Sequence, residues 1–404
     1  MYTYIDLFAG CGGLSEGFEQ AGNYKGIAHV EWDRVAAKTL THRLRTKWKV
    51  ANAAEKVIVF DIQKASQLIK GTKGPESPSM PGLKSLIKKS ESIDLLIGGP
   101  PCQAYSVAGR IRDENGMRDD YRNYLFESYV EIMSQLSPDI FVFENVPGIL
   151  TAAPGGTPII DRIHRSFTKA GYTTLDNFRD ALFNLDDFGI PQKRARIIII
   201  GLKNKTYDKS GMAESLLINF YKQFRQKYTT SKKIAASEAL DGLTKFFPSD
   251  LPSKKNSHLP ASSEYLNHAP RFHNIRDIEI FEMLTKDIES GSNVYASTAS
   301  LKKLYTEKTG KESAVHKYHV IRPNLPSNTI PAHLYKDGLR HIHWDSKQAR
   351  SITVREAARL QTFPDDFEFL GSMGDQYRMI GNAVPPKFAN LIASELQTLL
   401  NIRS

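Results

Sequence analysis

Ile5-Asp6-Leu7-Phe8-Ala9-Gly10-Cys11-Gly12-Gly13-Leu14 runs from a short apolar stretch into a glycine-rich turn, after which Leu14, Phe18 and Ala21 recur at helical spacing. Strand, glycine turn, helix is the opening unit of a doubly wound α/β domain, whose ligands sit at the carboxyl ends of the strands. Glycines at 10, 12 and 13 let the backbone approach a ligand closely, and the helix N-terminus favours an anionic group. Glu31 ends the next predicted strand, where a carboxylate can accept hydrogen bonds from ribose hydroxyls, and Trp32 beside it can stack on an adenine. The turn lacks the GxGxxG spacing of a dinucleotide site. An adenosyl cofactor without a pyrophosphate fits it better.

The alternation continues outward. Predicted strands at Tyr4 to Phe8, Gly26 to Val30, Val57 to Phe60, Ile93 to Ile97, Ile140 to Phe143 and Arg196 to Ile200 are separated by amphipathic stretches such as Leu125, Tyr129, Ile132 and Met133. This predicts a mostly parallel, Rossmann-like sheet with crossover helices. The strand at 93–97 leads into Gly98-Gly99-Pro100-Pro101-Cys102-Gln103, which places a cysteine on a rigid turn at a strand's carboxyl end. Such a cysteine is either a presented nucleophile or, like most free cysteines, an inert core residue. Cys11, inside the glycine turn, matters there through its backbone.

Composition bounds the rest. The chain has 404 residues, with 54 Lys and Arg against 44 Asp and Glu, a formal charge of +10 and a pI near 9.3. That excess suits a polyanion such as nucleic acid, or simply a basic surface. No apolar run is long enough to cross a bilayer and no secretory leader is evident, so a cytoplasmic setting is expected. Two cysteines exclude a disulfide framework. No CxxC pair is present and His341 and His343 lack a third ligand at suitable spacing, so no metal is expected.

After Gly201 the texture becomes polar and basic, with Lys232-Lys233, Lys254-Lys255 and a long loop from 248 to 263; Ile278 to Leu284 alone looks helical. A catalytic domain formed by residues 1–204 and 350–404, with a smaller domain of residues 205–349 inserted, accounts for this. Residues 71–82, rich in Gly, Ser, Pro and Lys, read as a surface insertion. A capped helix starts within 351–356, and the closing helix gathers Phe388, Leu391, Ile392, Leu396, Leu399 and Leu400 on one face.

Six motifs in order, Asp6 to Gly13, Gly99 to Gln103, Glu144-Asn145-Val146-Pro147-Gly148, Gln192-Lys193-Arg194-Ala195-Arg196, Arg355-Glu356-Ala357-Ala358-Arg359-Leu360-Gln361 and residues 376–386, resemble those of the DNA (cytosine-5) methyltransferases of bacterial restriction-modification systems. The resemblance spans nearly the whole chain. It implies methyl transfer from S-adenosyl-L-methionine to C5 of a cytosine flipped out of double-stranded DNA. Cytosine C5 is a poor nucleophile; adding the Cys102 thiolate at C6 makes an enamine whose C5 attacks the methyl sulfonium. Glu144 would contact N3 and the amino group of the base. Arg196 would line the catalytic pocket, and Arg194 would hold the Cys102 loop or a phosphate. Cofactor contacts are implied for Phe8, Gly10, Cys11, Gly12, Gly13, Glu31, Trp32, Asp61, Ile62, Pro100, Leu125, Asn382, Ala383 and Val384, the last three in a loop before the closing helix. DNA contacts are implied for Gln103, Ser106, Arg122 and, in the inserted recognition domain, Thr329, beside Ile330. Ala104-Tyr105 depart mildly from the pattern.

Three alternatives remain at this stage. A tRNA cytosine-5 methyltransferase of the same fold would need a smaller reader than the inserted segment. A catalytically silent DNA-binding regulator would not need Cys102, Glu144 and the cofactor glycines intact. An amino-methylating enzyme would carry an Asp/Asn-Pro-Pro-aromatic motif where this chain has Pro-Pro-Cys. A monomer on DNA, accompanied by a restriction endonuclease or phage-defence system, is the expected setting.

Overall fold

The computed structural model describes residues 1–74, 77–87, 92–101, 125–153, 156–208, 211–250, 256–315, 317–336 and 338–403. The chain forms two compact units, one of Met1–Phe188, Arg194–Ser231 and Val384–Ser404, the other of Gly189–Lys193 and Lys232–Ala383.

The first unit is built on an eight-stranded sheet. Its strands are β1 (Tyr2–Leu7), β2 (Tyr24–Glu31), β3 (Val57–Val59), β4 (Leu95–Gly98), β5 (Ile140–Asn145), β6 (Tyr172–Thr173), β7 (Leu182–Asn184) and β8 (Ala195–Lys203). The order is β3-β2-β1-β4-β5-β8-β6, with β7 also pairing β8. β1 runs parallel to β2 and β4, and β4 parallel to β5. Their continuous apolar runs follow from burial on both faces: Ile5, Leu95, Leu96, Ile97, Ile140, Phe141, Val142 and Phe143 are all fully buried. Winding reverses between β1 and β4, which opens a crevice at their carboxyl ends. Leu7 lies opposite Gly98, and Gly98 opposite Phe143, so the three strands end together.

β8 is antiparallel to β5, with Ile198 opposite Glu144, so it begins at the rim where the parallel strands end. Helix α1 (Gly13–Ala21) packs against the closing helix Pro386–Asn401, where a Cβ on Gly17 would lie 2.4 Å from Ala389 Cβ and 2.6 Å from the Asn390 nitrogen. The expected apolar stripe of that helix is buried at Phe388, Ile392, Leu396, Leu399 and Leu400.

The helix Ala213–Tyr228 belongs to the first unit, because Phe224 joins Phe183, Phe188 and Phe388 in a cluster with ring centroids 5.4–5.9 Å apart. The compact units thus divide after Ser231 and Ala383. Residues 71–74 and 77–81 form an antiparallel hairpin within the expected surface insertion.

In the second unit, the helices Ile275–Glu289 and Thr298–Thr309 enclose Ile280, Phe281, Leu284, Leu304, Tyr318 and Ile342. The helix Val354–Leu360 starts in a capping box: Thr353 Oγ1 accepts from the Glu356 N–H, and Glu356 Oε2 accepts from the Thr353 N–H. Glu356 also holds the fully buried Arg350 through two hydrogen bonds of 2.6 and 2.7 Å, which keep its carboxyl down at about 2 against the burial that opposes ionisation. Arg355, fully buried too, donates to the carbonyls of Leu266, Pro364 and Phe367.

Candidate active site

The turn after β1 is shaped by backbone conformation. Phe8 has φ 60°, a left-handed geometry strained for a residue with a side chain, and Gly10 and Gly12 follow at 57° and 95°. The two glycines do different work. A Cβ on Gly12 would sit 2.5 Å from Leu40 Cδ1, so Gly12 allows α1 to pack on the helix Arg34–Thr46. A Cβ on Gly10 would meet nothing within 4 Å, so the turn faces open space there. Cys11 is buried, and burial raises its thiol far above the ordinary range, which removes it as a nucleophile.

Glu31, at the end of β2, fastens this turn. Its Oε2 accepts from the Gly10 N–H at 2.7 Å and its Oε1 from the Asp33 N–H at 2.7 Å. Burial raises its pKa and those backbone donors lower it, burial being the larger effect. Trp32 beside it is 69% exposed. Asp61 and Ile62 follow β3; Asp61 Oδ1 accepts from the Gln63 N–H, and Ile62 is buried. The turn supplies open backbone, a carboxylate and an exposed indole, with no basic side chain among residues 8–13. That donor set fits the hydroxyls, adenine and cationic sulfonium of an adenosyl-methionine better than a pyrophosphate.

A second group sits beside it along the rim. Glu144, the penultimate residue of β5, is 2.7 Å from Arg196 Nε, and each side chain is 12% exposed. Arg196 also donates to the Ala195 carbonyl at 2.7 Å. Gly99 lies against the pair: a Cβ there would be 2.5 Å from Glu144 Oε2. Asn145 Nδ2 donates to the Pro100 carbonyl at 3.3 Å, tying the end of β5 to the turn after β4. The structure thus joins Gly10 to Glu31, and Pro100 to the strand that bears Glu144.

Other candidates are placed less directly. Arg194 is buried and follows the strand Gln192–Lys193 in the chain, one residue before β8 begins, whereas Arg196 lies within β8. Leu125 opens the helix Leu125–Leu136 and is buried. Asn382 is the last residue of the helix Met373–Asn382, not part of a loop; Ala383 caps that helix and Val384 begins the return to the first unit. Thr329 is exposed in the second unit, and its hydroxyl donates to the Lys193 carbonyl at 2.5 Å. Cys102, Gln103, Ser106 and Arg122 lie outside the described residues. Among the described residues no group of three His, Cys, Asp or Glu is arranged for a metal.

Sequence reasoning missed a polar cluster beneath the turn. Ser15 Oγ donates to Asp6 Oδ2 at 2.6 Å and lies 2.9 Å from His29 Nδ1, all three residues buried. Its signal was visible: an aspartate in the middle of an apolar strand must have a partner.

Comparison with known proteins agrees with this geometry. The family model for C-5 cytosine-specific DNA methylase matches residues 2–398. The chain is 32% identical to the type II methyltransferase M.Bpa9945I of Bacillus paralicheniformis over 98% of its own length and 99% of that protein. It is 30% identical to the type II methyltransferase M.Sau96I of Staphylococcus aureus over 99% of its own length and 76% of that protein. A crystal structure of a DNA modification methyltransferase encoded within a prophage (E. coli) shares the fold with a TM-score of 0.60 at 24% identity, covering 99% of this chain and 100% of that one. The Dnmt2 methyltransferase of S. pombe does so with a TM-score of 0.56 at 14% identity, over 99% of each chain. A Rossmann-like sheet ending in a glycine turn and a Glu–Arg pair, with a family match across nearly its whole length, places this chain among the C-5 cytosine-specific DNA methylases.

Proposed function

We propose that the protein methylates C5 of a cytosine within a short double-stranded DNA sequence through a covalent adduct of Cys102 at C6. The observation that carries this reading is the Glu144–Arg196 pair, set against Gly99 three residues before Cys102. Glu144 would hold N3 and the amino group of the flipped base while Arg196 orients that carboxyl. Arg194 would support the Cys102 loop. Cys102 would add to C6, and after methyl transfer a base would take the C5 proton as the thiolate is expelled from C6, restoring the ring and the free cysteine. S-adenosyl-L-methionine supplies the electrophilic methyl group. Phe8, the backbone of Gly10 to Gly13, Glu31, Trp32, Asp61, Ile62, Pro100, Leu125 and the segment Asn382 to Val384 would hold it.

Gln103, Ser106, Arg122 and Thr329 would contact DNA, and residues 205–349 would read the sequence. The names of the relatives favour a restriction-modification setting; a companion endonuclease, a cytoplasmic location and a monomer on DNA complete this reading as proposals. No described helix is long and apolar enough to cross a membrane.

The test is to incubate the protein with S-adenosyl-L-methionine and unmethylated genomic DNA, then map 5-methylcytosine by conversion sequencing. Methylation confined to one short motif is expected. Cys102→Ser should abolish it while cofactor binding persists. Full activity in that variant would sink the covalent route, and methylation of RNA alone would move the substrate to tRNA.

A further inference from the structure

Gln192 and Gln361 are fully buried in the second unit and joined side chain to side chain. Gln192 Oε1 accepts from the Ile330 N–H at 2.9 Å, and its Nε2 donates to Gln361 Oε1 at 2.5 Å and to the Leu360 carbonyl at 3.1 Å. Gln361 Nε2 in turn donates to the Ala383 carbonyl at 2.5 Å. Both amides accept on the side of Ile330 and donate on the side of Ala383. Bonds aligned in one direction polarise and strengthen one another in a buried site. The chain has a firm anchor at each end. Gln192-Lys193 pairs with Ser327-Asn328, while the Ala383 N–H donates to the Met379 and Ile380 carbonyls.

The same two segments also touch through backbone. A Cβ on Gly381 would lie 2.4 Å from the Ala332 nitrogen and the Pro331 carbonyl carbon, so the chain just after Ile330 presses on the helix end that carries Asn382. Neither glutamine is needed to fill the core with apolar surface, and a buried amide pair is costly unless every group is satisfied.

We propose that Gln192 and Gln361 are positioning residues that couple DNA engagement at Thr329-Ile330 to cofactor binding at Asn382-Ala383, so that each ligand tightens the other. This rests on the assignment of those two segments made above. Thr329 moving toward DNA would shift Ile330, and the amide chain would carry that shift to the Ala383 carbonyl. By linkage the effect is reciprocal.

The experiment measures the affinity of the whole protein for S-adenosyl-L-homocysteine, alone and with a duplex carrying the mapped methylation sequence. In the wild type the duplex tightens binding. Gln361→Met and Gln192→Met keep the shape and remove the amide; each should cut that enhancement by about fivefold, the worth of one net hydrogen bond. The double variant should lose little more than either single, because the two act in series. Gln361→Glu keeps the acceptor for Gln192 but turns an oxygen on the Ala383 carbonyl, so it should show the same loss if the methionine variants fold poorly. An unchanged enhancement in folded variants, additive losses in the double variant, or a wild type that binds both ligands without coupling would each overturn the proposal. A wild type that binds neither ligand would overturn the functional reading itself.

Discussion

Asp6 sits in the middle of the apolar strand β1 with its carboxyl fully buried, one oxygen bonded to Ser15 and the other with no partner among the described residues. Burial pushes its pKa up to about 7, from 3.8. The folded protein therefore keeps a proton that the unfolded chain releases above about pH 4. Its contribution to stability is full below pH 4 and is lost as pH rises toward 7. Asp6→Asn should flatten this component, so its melting temperature relative to wild type should rise by a few degrees between pH 5 and pH 8. Melting curves that shift in parallel would refute it. At the reaction end of the sheet, Gly99→Ala would bring a methyl against Glu144 Oε2, so the carboxyl that rests on Arg196 must shift. Misplacement of a reacting group by about 1 Å costs on the order of 10²-fold in rate, so kcat should fall by about that factor while cofactor affinity holds. A wild-type kcat would show that the placement of the Glu144 carboxyl against Gly99 does not limit the reaction. The strand-end positions of Glu144, Arg196 and Glu31 were legible, because each lies in a motif at the edge of an apolar run. The links of Gln192 and Gln361 were not, because most of their partners lie far away in sequence; Asp6 showed that it needs a partner, not that Ser15 supplies it.

The contact between α1 and the helix Pro386–Asn401 joins the two ends of the chain. Gly17 makes it close: besides Ala389 Cβ, its missing Cβ would meet the Pro386 carbonyl oxygen at 2.6 Å. The Tyr24 hydroxyl donates to the Ala393 carbonyl at 2.6 Å, fixing the helix along its length. Backbone cannot yield as a side chain can, so Gly17→Ala should cost about 1–3 kcal/mol by overpacking, read as a lower melting temperature in calorimetry. An unchanged transition would mean that the helices are not held at this distance. The apolar stripe of the closing helix was plain in the sequence, whereas its partner, at the other end of the chain, was not. For Ala213–Tyr228 the polar, basic texture after Gly201 hides both the helix and the unit it joins. That is decided by Phe183, Phe188 and Phe388, far along the chain. The direction of β8 was equally hidden, since Ile197 to Ile200 reads the same whichever way the strand runs.

Over the whole molecule, the two units carry buried titratable groups of opposite tendency. In the second unit His258, His268, His273, His341 and His343 are all at most 5% exposed. Burial lowers all five below the usual 6.5, to about 3 for His273 and His341 and about 4 for His343. Arg350 lowers His343 further while Glu356 raises it. As pH drops below 6.5 the unfolded chain gains protons at these rings that the folded unit refuses, so the unit loses stability from there toward pH 4. The first unit has one such ring, His29, lowered by burial to about 3. Against it stand Asp6, Glu19 and Glu31, all raised by burial, which hold protons in the folded state and so favour it as pH falls. Mild acid should therefore open the second unit first. Hydrogen exchange read by mass spectrometry at pH 5 and pH 7.5, corrected for intrinsic rates, should show peptides from 232–383 losing protection at the lower pH. Peptides from β1, β2, β4 and β5 should keep theirs. Loss spread evenly over both units, or beginning in the sheet, would show that these histidines do not govern the acid response.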